Sequence, residues 1–92
     1  MRIDRFLFFI RLVKSRTLAQ GIVAEGRVRI DGRRAIKPSD EVRVGSVIAL
    51  PLRGEVRVIR VLSLPVRRGP ATEARSHYEE IAANVSQQIG DD

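Results

Sequence analysis

The sequence has no cysteine and no tryptophan, and its aromatic residues are three phenylalanines and one tyrosine. The lack of cysteine excludes disulfides and thiolate metal sites. With so few rings, the core must be built mainly from aliphatic side chains. A length of 92 residues fits one small domain with one core.

A partnered set of catalytic groups is also missing. The single histidine, His77, stands beside Tyr78, and the adjacent Glu79 and Glu80 point to different sides of a helix, so they form no carboxylate pair. None of the seven glycines lies in a phosphate-loop pattern. We therefore predict a binding module and not an enzyme, with no cofactor, no metal and no small-molecule substrate.

No apolar run is long enough for a membrane span. The stretch FLFFIRLV is short and contains Arg11. No small-residue cleavage site follows it, as a signal peptide would require. We expect a cytoplasmic protein without a membrane partner.

Positive charge is what the chain has in excess. It carries 17 basic and 11 acidic residues, for a net charge of +6. Residues 1–37 hold ten basic and three acidic residues, whereas residues 71–92 hold one basic and five acidic residues. This asymmetry predicts that the first half meets a polyanion, with nucleic acid favoured. A charged surface that serves only solvation is the open alternative.

Apolar periodicity predicts two short helices at the start of the chain. Asp4 is the expected N-cap of the first helix and Ser15 that of the second, which Gly26 closes. Because almost no linker separates the helices, they should form a helical hairpin. The two apolar stripes are Ile3, Phe6, Leu7, Ile10 and Val13, then Leu18, Ala19, Ile22 and Val23.

After Gly26 the apolar period changes to two, which indicates strands. Asp31-Gly32 is a strong hairpin-turn dipeptide, and residues 42–50 and 56–64 are expected to form two further strands. A last stripe predicts a C-terminal helix. Its members are Ala74, Tyr78, Ile81, Val85 and Ile89.

The predicted fold class is therefore α+β. An N-terminal helical hairpin packs on a small twisted antiparallel sheet, and a C-terminal helix follows. Residues 1–66 should form the hairpin and the sheet, which the resemblance described below identifies as an RNA-binding domain. Residues 67–92 should form a basic turn and a helix with an acidic end, within the same unit.

The junction between the two helices is the predicted anion site. A helix start offers unpaired N–H groups and a partial positive charge. Ser15 places that start beside Lys14 and Arg16, and Arg11 is expected one turn earlier on the first helix. The candidate RNA contacts are Arg5, Arg11, Lys14, Ser15, Arg16, Arg27, Arg29, Arg33 and Arg34, with Lys37, Arg67 and Arg68 as additional contacts.

Such contacts favour recognition of RNA shape through phosphates and sugars. Apart from Arg16 and Gln20, the second helix is poor in groups that read base edges, which disfavours a DNA-binding helix-turn-helix protein. Ser15 is expected to act as a cap and not as a nucleophile, because it stands where the second apolar stripe begins.

The stretch RIDRFLFFIRLVKSRTLAQGIVAEGRVRIDGRR, followed by KPSDEVRVGSVIAL, resembles the S4-type RNA-binding domain, or alpha-L motif. Its most specific pieces are Asp4 with Leu7, the segment 11–16, Ala19 and the glycine-valine-isoleucine pattern of 26–32. The resemblance implies a domain that grips structured RNA, chiefly ribosomal RNA or tRNA.

The second half resembles the segment that follows this domain in the bacterial heat-shock protein 15 family and its short ribosome-quality-control relatives. The matching residues are Arg68-Gly69-Pro70-Ala71, Glu73-Ala74 and Tyr78-Glu79-Glu80. The resemblance implies a non-enzymatic factor that binds ribosomal RNA and tRNA on the large ribosomal subunit and helps to rescue or recycle stalled subunits carrying a nascent chain. It also implies RNA contacts at 11, 14, 15 and 16 and at the hairpin residues 33 and 34.

Two other functions remain open at this stage. The chain could guide a separate RNA-modifying enzyme to its RNA. It could also be a protein-interaction adaptor that uses Phe9, Leu12 and the acidic C-terminal segment.

Overall fold

The computed structural model describes residues 1–81. The helices are α1 (Ile3–Phe9), α2 (Arg16–Ala24) and α3 (Ala71–Arg75), and the strands are β1 (Arg29–Ile30), β2 (Arg33–Arg34), β3 (Val47–Leu52), β4 (Glu55–Val61) and β5 (Tyr78–Glu80). The strands form one antiparallel sheet in the order β2-β1-β3-β4-β5. The α+β class, with a helical hairpin and a small sheet, is confirmed.

The helical hairpin supplies much of the core. All five residues of the first predicted stripe are buried, and they pack with Ala19 and Val23 of α2 and with sheet residues such as Ile48 and Ile59. Leu18, expected in the second stripe, is instead 52% exposed.

The start of α1 differs from the expected Asp4 cap. Arg2 occupies the N-cap position and makes no side-chain cap bond. The N–H groups of Ile3 and Asp4 donate instead to the carbonyls of Asp40, at 2.7 Å, and Pro38, at 3.3 Å. Because backbone carbonyls satisfy these donors, the Asp4 carboxylate is left for other partners.

The first helix also ends earlier than its stripe predicts. It stops at Phe9, and Arg11 adopts a positive φ of 63° in the linker. The expectation that Arg11 lies on the first helix is therefore wrong. The apolar spacing continues beyond the helix because Ile10 and Val13 still reach the core from the turn that follows.

The second helix has the predicted ends. The Ser15 hydroxyl accepts the N–H of Leu18 at 3.1 Å, and Gly26 has a φ of 74°. The N–H groups of Gly26 and Arg27 donate to the carbonyls of Val23 and Ile22, which is the usual way a left-handed residue closes a helix.

The sheet begins with the predicted tight hairpin. Asp31 and Gly32 both have positive φ, of 53° and 81°, as a type I′ turn requires, and β1 pairs with β2 across it. The next two strands are displaced from the predicted 42–50 and 56–64. A turn at 43–46 delays β3, because the N–H of Arg43 donates to the Ser46 hydroxyl and the N–H of Ser46 donates to the Arg43 carbonyl.

The predicted C-terminal helix is wrong between Ser76 and Ile81. Helix α3 is a single turn, and residues 78–80 form β5 along the edge of β4. This edge offers unpaired backbone groups and opposite charges, since Arg57 contacts Glu80 and Arg60 lies 4.0 Å from Glu79. Such long-range pairing overrides a helical spacing of apolar residues. Val85 and Ile89 lie outside the described residues.

Candidate RNA interface

A buried carboxylate organises the basic face of the helical hairpin. Asp4 has no exposed surface, and its two oxygens each accept a hydrogen bond from Arg2, from Nε and Nη2, at 3.0 Å. Gln20 Nε2 donates to the same carboxylate at 3.1 Å, and Arg16 Nη2 lies 3.5 Å from it. We call Arg2, Asp4, Arg16 and Gln20 the Asp4 cluster.

The ionisation of Asp4 follows from these contacts. Burial alone would raise its pKa, but hydrogen bonds from Arg2, Gln20 and the backbone N–H of Arg5 outweigh burial and hold the pKa below the ordinary 3.8. The carboxylate is therefore charged at neutral pH. It orients two guanidinium groups and leaves a net positive charge.

Both guanidinium groups keep donors available to a ligand. The Arg2 side chain is 43% exposed and that of Arg16 is 40% exposed. Because a guanidinium has five donors in a fixed fork, one that is anchored on one side by a carboxylate still presents donors on the other. The Nε of Arg16 is buried and has no acceptor among the residues described.

The start of α2 adds backbone donors beside this cluster. Ser15 satisfies one of the unpaired N–H groups, and the remaining ones give the helix start its partial positive charge. Lys14, just before the cap, is exposed. Arg5, exposed on α1, makes no side-chain ion pair within residues 1–81. These groups extend the anion-attracting face.

The β1–β2 hairpin carries the next predicted contacts. Arg29 stands directly opposite Arg34 in the register, and Arg33 opposite Ile30. The Arg34 side chain lies against Gly26, where an added Cβ would meet its Cδ at 3.4 Å. The turn is therefore positively charged and held near the end of α2. Lys37 is exposed, and Arg27 pairs with Glu25 at 3.4 Å.

Besides Arg16 and Arg27, three more predicted contacts have partners within the protein. Arg11 Nε donates to the Gly69 carbonyl at 2.6 Å, and Arg68 Nε donates to the Phe8 carbonyl at 3.0 Å with its guanidinium 4.5 Å from the centre of the Phe8 ring. Arg67 pairs with Glu73 at 3.0 Å. The structure does not bring these arginines to the Asp4 cluster, and their contact with RNA stays a prediction.

Sequence reasoning missed the roles of Arg2, Asp4 and Gln20. The usable signal was the spacing of Arg16 and Gln20, which places them on one face of a helix, together with an acidic residue beside Arg2. An aspartate near a helix start is ordinarily interpreted as an N-cap. That interpretation does not predict side-chain contacts with Arg16 and Gln20 of the next helix.

Residues 1–81 offer no metal site and no membrane-spanning helix. In that range no group of three or more His, Cys, Asp or Glu side chains could hold a metal ion. The helices of the same range are all too short or too polar to cross a membrane.

The chain is similar in sequence to a known domain family and to two characterised bacterial proteins. The S4 domain family model matches residues 1–48. The chain is 45% identical over 49 residues to the RQC P-site tRNA stabilizing factor of Bacillus subtilis, an alignment that covers 48% of this chain and 57% of that protein. It is 33% identical over 88 residues to Heat shock protein 15 of Escherichia coli, covering 96% of this chain and 65% of that protein.

A solved structure is similar over nearly the whole chain. The trimeric Heat Shock Protein 15 of Vibrio cholerae matches with a TM-score of 0.87 and 32% identity, and the match covers 99% of this chain and 91% of that one. The alignments with the two curated relatives cover about three fifths of their own lengths. The Asp4 cluster, the start of α2 and the β1–β2 hairpin all lie inside the matched segment 1–48, and the chain belongs to the S4 domain family.

Proposed function

We propose that this chain is a non-enzymatic factor that binds structured RNA, with ribosomal RNA and tRNA as its partners. The match of residues 1–48 to the S4 domain carries the proposal, because the basic surface described above falls within that segment. The charge excess of residues 1–37 supports the same conclusion.

The proposed contact surface combines the Asp4 cluster with the start of α2 and the β1–β2 hairpin. Arg2 and Arg16 hold phosphate oxygens through guanidinium donors that Asp4 has already oriented. The proposed contacts are Arg2, Arg5, Arg11, Lys14, Ser15, Arg16, Arg27, Arg29, Arg33 and Arg34, with Lys37, Arg67 and Arg68 as additional contacts. Arg67 and Arg68 should contribute least to RNA affinity, because their guanidinium groups already have partners within the protein. Such a surface selects RNA by the spacing of its phosphates and not by base edges.

The proposed site of action is a large ribosomal subunit that still carries tRNA and a nascent chain, where the factor stabilises the tRNA and favours rescue or recycling. Two relatives support this. One is named for stabilising P-site tRNA, and Heat shock protein 15 aligns with nearly the whole chain. The factor needs no catalytic group for this role, because it acts by holding RNA in place.

Gradient sedimentation tests this proposal. The full chain is mixed with isolated large subunits, either empty or loaded with peptidyl-tRNA, and its distribution is measured by immunoblotting. We expect co-sedimentation with both, and stronger co-sedimentation with loaded subunits. Arg43→Glu is a matched surface control that should behave like the unmodified chain.

Two results would contradict the proposal. If the chain stays at the top of the gradient with both kinds of subunit, the ribosomal assignment fails. If loaded and empty subunits retain it equally, the role in rescue fails and a general affinity for ribosomal RNA remains.

A further inference from the structure

A cleft of about 300 Å³ lies outside the Asp4 cluster, between the α1–α2 linker, the β3–β4 turn and the α3–β5 segment. Its lining is rich in one residue type. Four arginines contribute to its walls, and these are Arg11, Arg53, Arg57 and Arg75. The volume is at the lower end of the range typical of small-ligand pockets.

The charges on the cleft walls do not balance. Arg57 is held by Glu80, and Arg11 uses its Nε on the Gly69 carbonyl. Arg53 and Arg75 are exposed and make no ion pair within the described part of the chain. Glu55 is the one carboxylate on the lining, so the cleft favours an anion.

The remaining lining is not that of a simple phosphate site. Leu12 and Leu52 form apolar wall, and Tyr78, the only tyrosine of the chain, is half-buried and contributes its side chain. Aromatic and apolar side chains are the surfaces on which unstacked RNA bases pack. Glu55 offers an acceptor for a ribose hydroxyl or a base amino group.

Two of the lining residues have an uncommon backbone conformation. Arg11 and Arg53 have positive φ values of 63° and 52°, a region that is uncommon for residues other than glycine, asparagine and aspartate. Both side chains line this cleft. At Arg53 the tight turn that joins β3 to β4 requires this conformation, as the β1–β2 turn does at Asp31, so a substitution at Arg53 must tolerate positive φ.

We infer that this cleft binds a single unstacked RNA nucleotide. Its phosphate lies between Arg53 and Arg75, its base packs against Tyr78, and Glu55 accepts from its ribose or base. The inference rests on the proposed function, since it adds a second contact to the same RNA. A duplex is too wide for a cavity of this size, so the nucleotide comes from a loop, a bulge or an end.

Nuclear magnetic resonance on the isotope-labelled full chain tests the inference directly. The probes are the four nucleoside 5′-monophosphates, the four uncharged nucleosides and inorganic phosphate, each added separately. We expect at least one monophosphate to shift the amide signals of residues 53–55 and 75–78. Its shifts should exceed those caused by phosphate or by the matching nucleoside. No shift in these segments, or equal shifts with inorganic phosphate, would overturn the inference.

Variants extend the test to RNA. Arg53→Asn removes one charge and keeps a residue type that tolerates positive φ, and Arg43→Asn is the control with the same charge change on the exposed surface. We expect Arg53→Asn to weaken binding of structured RNA about three- to tenfold and to lower the logarithmic salt slope by about one. The control should change the affinity less than twofold.

The two proposals fail in distinguishable ways. If the unmodified chain binds no structured RNA, the proposed function fails whatever the monophosphates do. If RNA binds and Arg53→Asn behaves like Arg43→Asn, the cleft is not an RNA contact and the proposed function stands. Lys14→Glu should weaken RNA binding and leave the monophosphate shifts in the cleft unchanged.

Discussion

The arginines of residues 1–37 and those of residues 57–81 differ in what their guanidinium groups contact. In the first region, Arg2 and Arg16 share one buried carboxylate and remain about two fifths exposed. In the second region, four of the five arginines contact a glutamate or a backbone carbonyl of another segment. Arg2 and Arg16 thus present charge around a buried carboxylate, whereas most arginines of the second region fasten one segment to another. Arg11 and Arg27 are exceptions in the first region, because Arg11 donates to the Gly69 carbonyl and Arg27 pairs with Glu25.

The difference shows that basic composition alone does not locate a nucleic-acid surface. An exposed ion pair adds little stability, so Arg67 with Glu73 contributes mainly to local order. Arg68 does more, because it satisfies a carbonyl at the end of α1 and covers the Phe8 ring. The free donors of the first region are those that an RNA backbone can use.

The largest effect is expected from removing the charge of Asp4, the carboxylate that Arg2 and Arg16 share. Asp4→Asn should lower the free energy of unfolding by about 1.5 to 3 kcal/mol, because hydrogen bonds to a charged group are lost and Arg2 and Arg16 are left without their counter-ion. RNA affinity should fall as well. Urea denaturation at pH 7 measures the stability, and Glu41→Gln, which alters an exposed carboxylate, should change it by less than about 0.5 kcal/mol.

The same carboxylate predicts a pH dependence. Its pKa is lower in the folded chain than the ordinary 3.8, so its stabilising contribution is complete above the unfolded value and is lost as pH falls through the folded value. The free energy of unfolding of the unmodified chain should therefore approach that of Asp4→Asn as the pH falls below about 4. Denaturation curves that stay equally far apart from pH 7 to pH 2 would contradict this role for Asp4.

Much of the first region could be predicted from the sequence because its determinants are local. Apolar spacing located the two helices, Ser15 and Gly26 marked the ends of the second, and Asp31-Gly32 marked the hairpin. The S4 resemblance, which rests on the same segment, is confirmed by the family match to residues 1–48. Periods and turn residues are short-range signals, and this part of the fold is built from them.

The features that escaped prediction depend on distant partners. Asp4 acts as a hydrogen-bond acceptor for Gln20, which lies sixteen residues further along the chain. Strand β5 depends on the free edge of β4, and its residues satisfy a helical spacing equally well until Glu79 and Glu80 meet Arg60 and Arg57. The cleft was not predicted for the same reason, since its arginines come from the α1–α2 linker, the β3–β4 hairpin and α3.

The next largest effect is expected from reversing the charge of Lys14, which lies between α1 and α2. This variant tests whether the two regions differ in their contact with RNA. Lys14→Glu should weaken binding of structured RNA about tenfold and reduce the logarithmic salt slope by about one, because one phosphate contact is lost. Arg67→Glu carries the same change of charge in the second region and should have a smaller effect. Fluorescence anisotropy at several salt concentrations measures both. Equal losses would place Arg67 on the RNA surface and remove the distinction between the regions.

Replacing Arg68 should show the opposite pattern. Arg68→Met keeps an unbranched apolar stem but removes the hydrogen bond to the Phe8 carbonyl and the cation–π contact. It should lower the free energy of unfolding by about 1 to 2 kcal/mol and leave RNA affinity within twofold. Thermal denaturation and RNA titration of the same sample separate the effects. Weaker RNA binding at unchanged stability would make Arg68 a main RNA contact and contradict its role as a fastening residue.

The smallest expected effect concerns Gly21, in the middle of α2. A glycine inside a predicted helix indicates tight packing or close approach of a backbone, but nothing lies within 4 Å of a Cβ built at Gly21. Gly21→Ala should therefore raise the free energy of unfolding by about 0.5 to 1 kcal/mol through helix propensity alone, and Ala24→Gly on the same helix should lower it. If Gly21→Ala stabilises the chain and also weakens RNA binding, the open space above Gly21 is where an RNA backbone approaches α2. If RNA binding is unchanged, the contact surface is confined to the start of the helix, around Ser15 and Arg16.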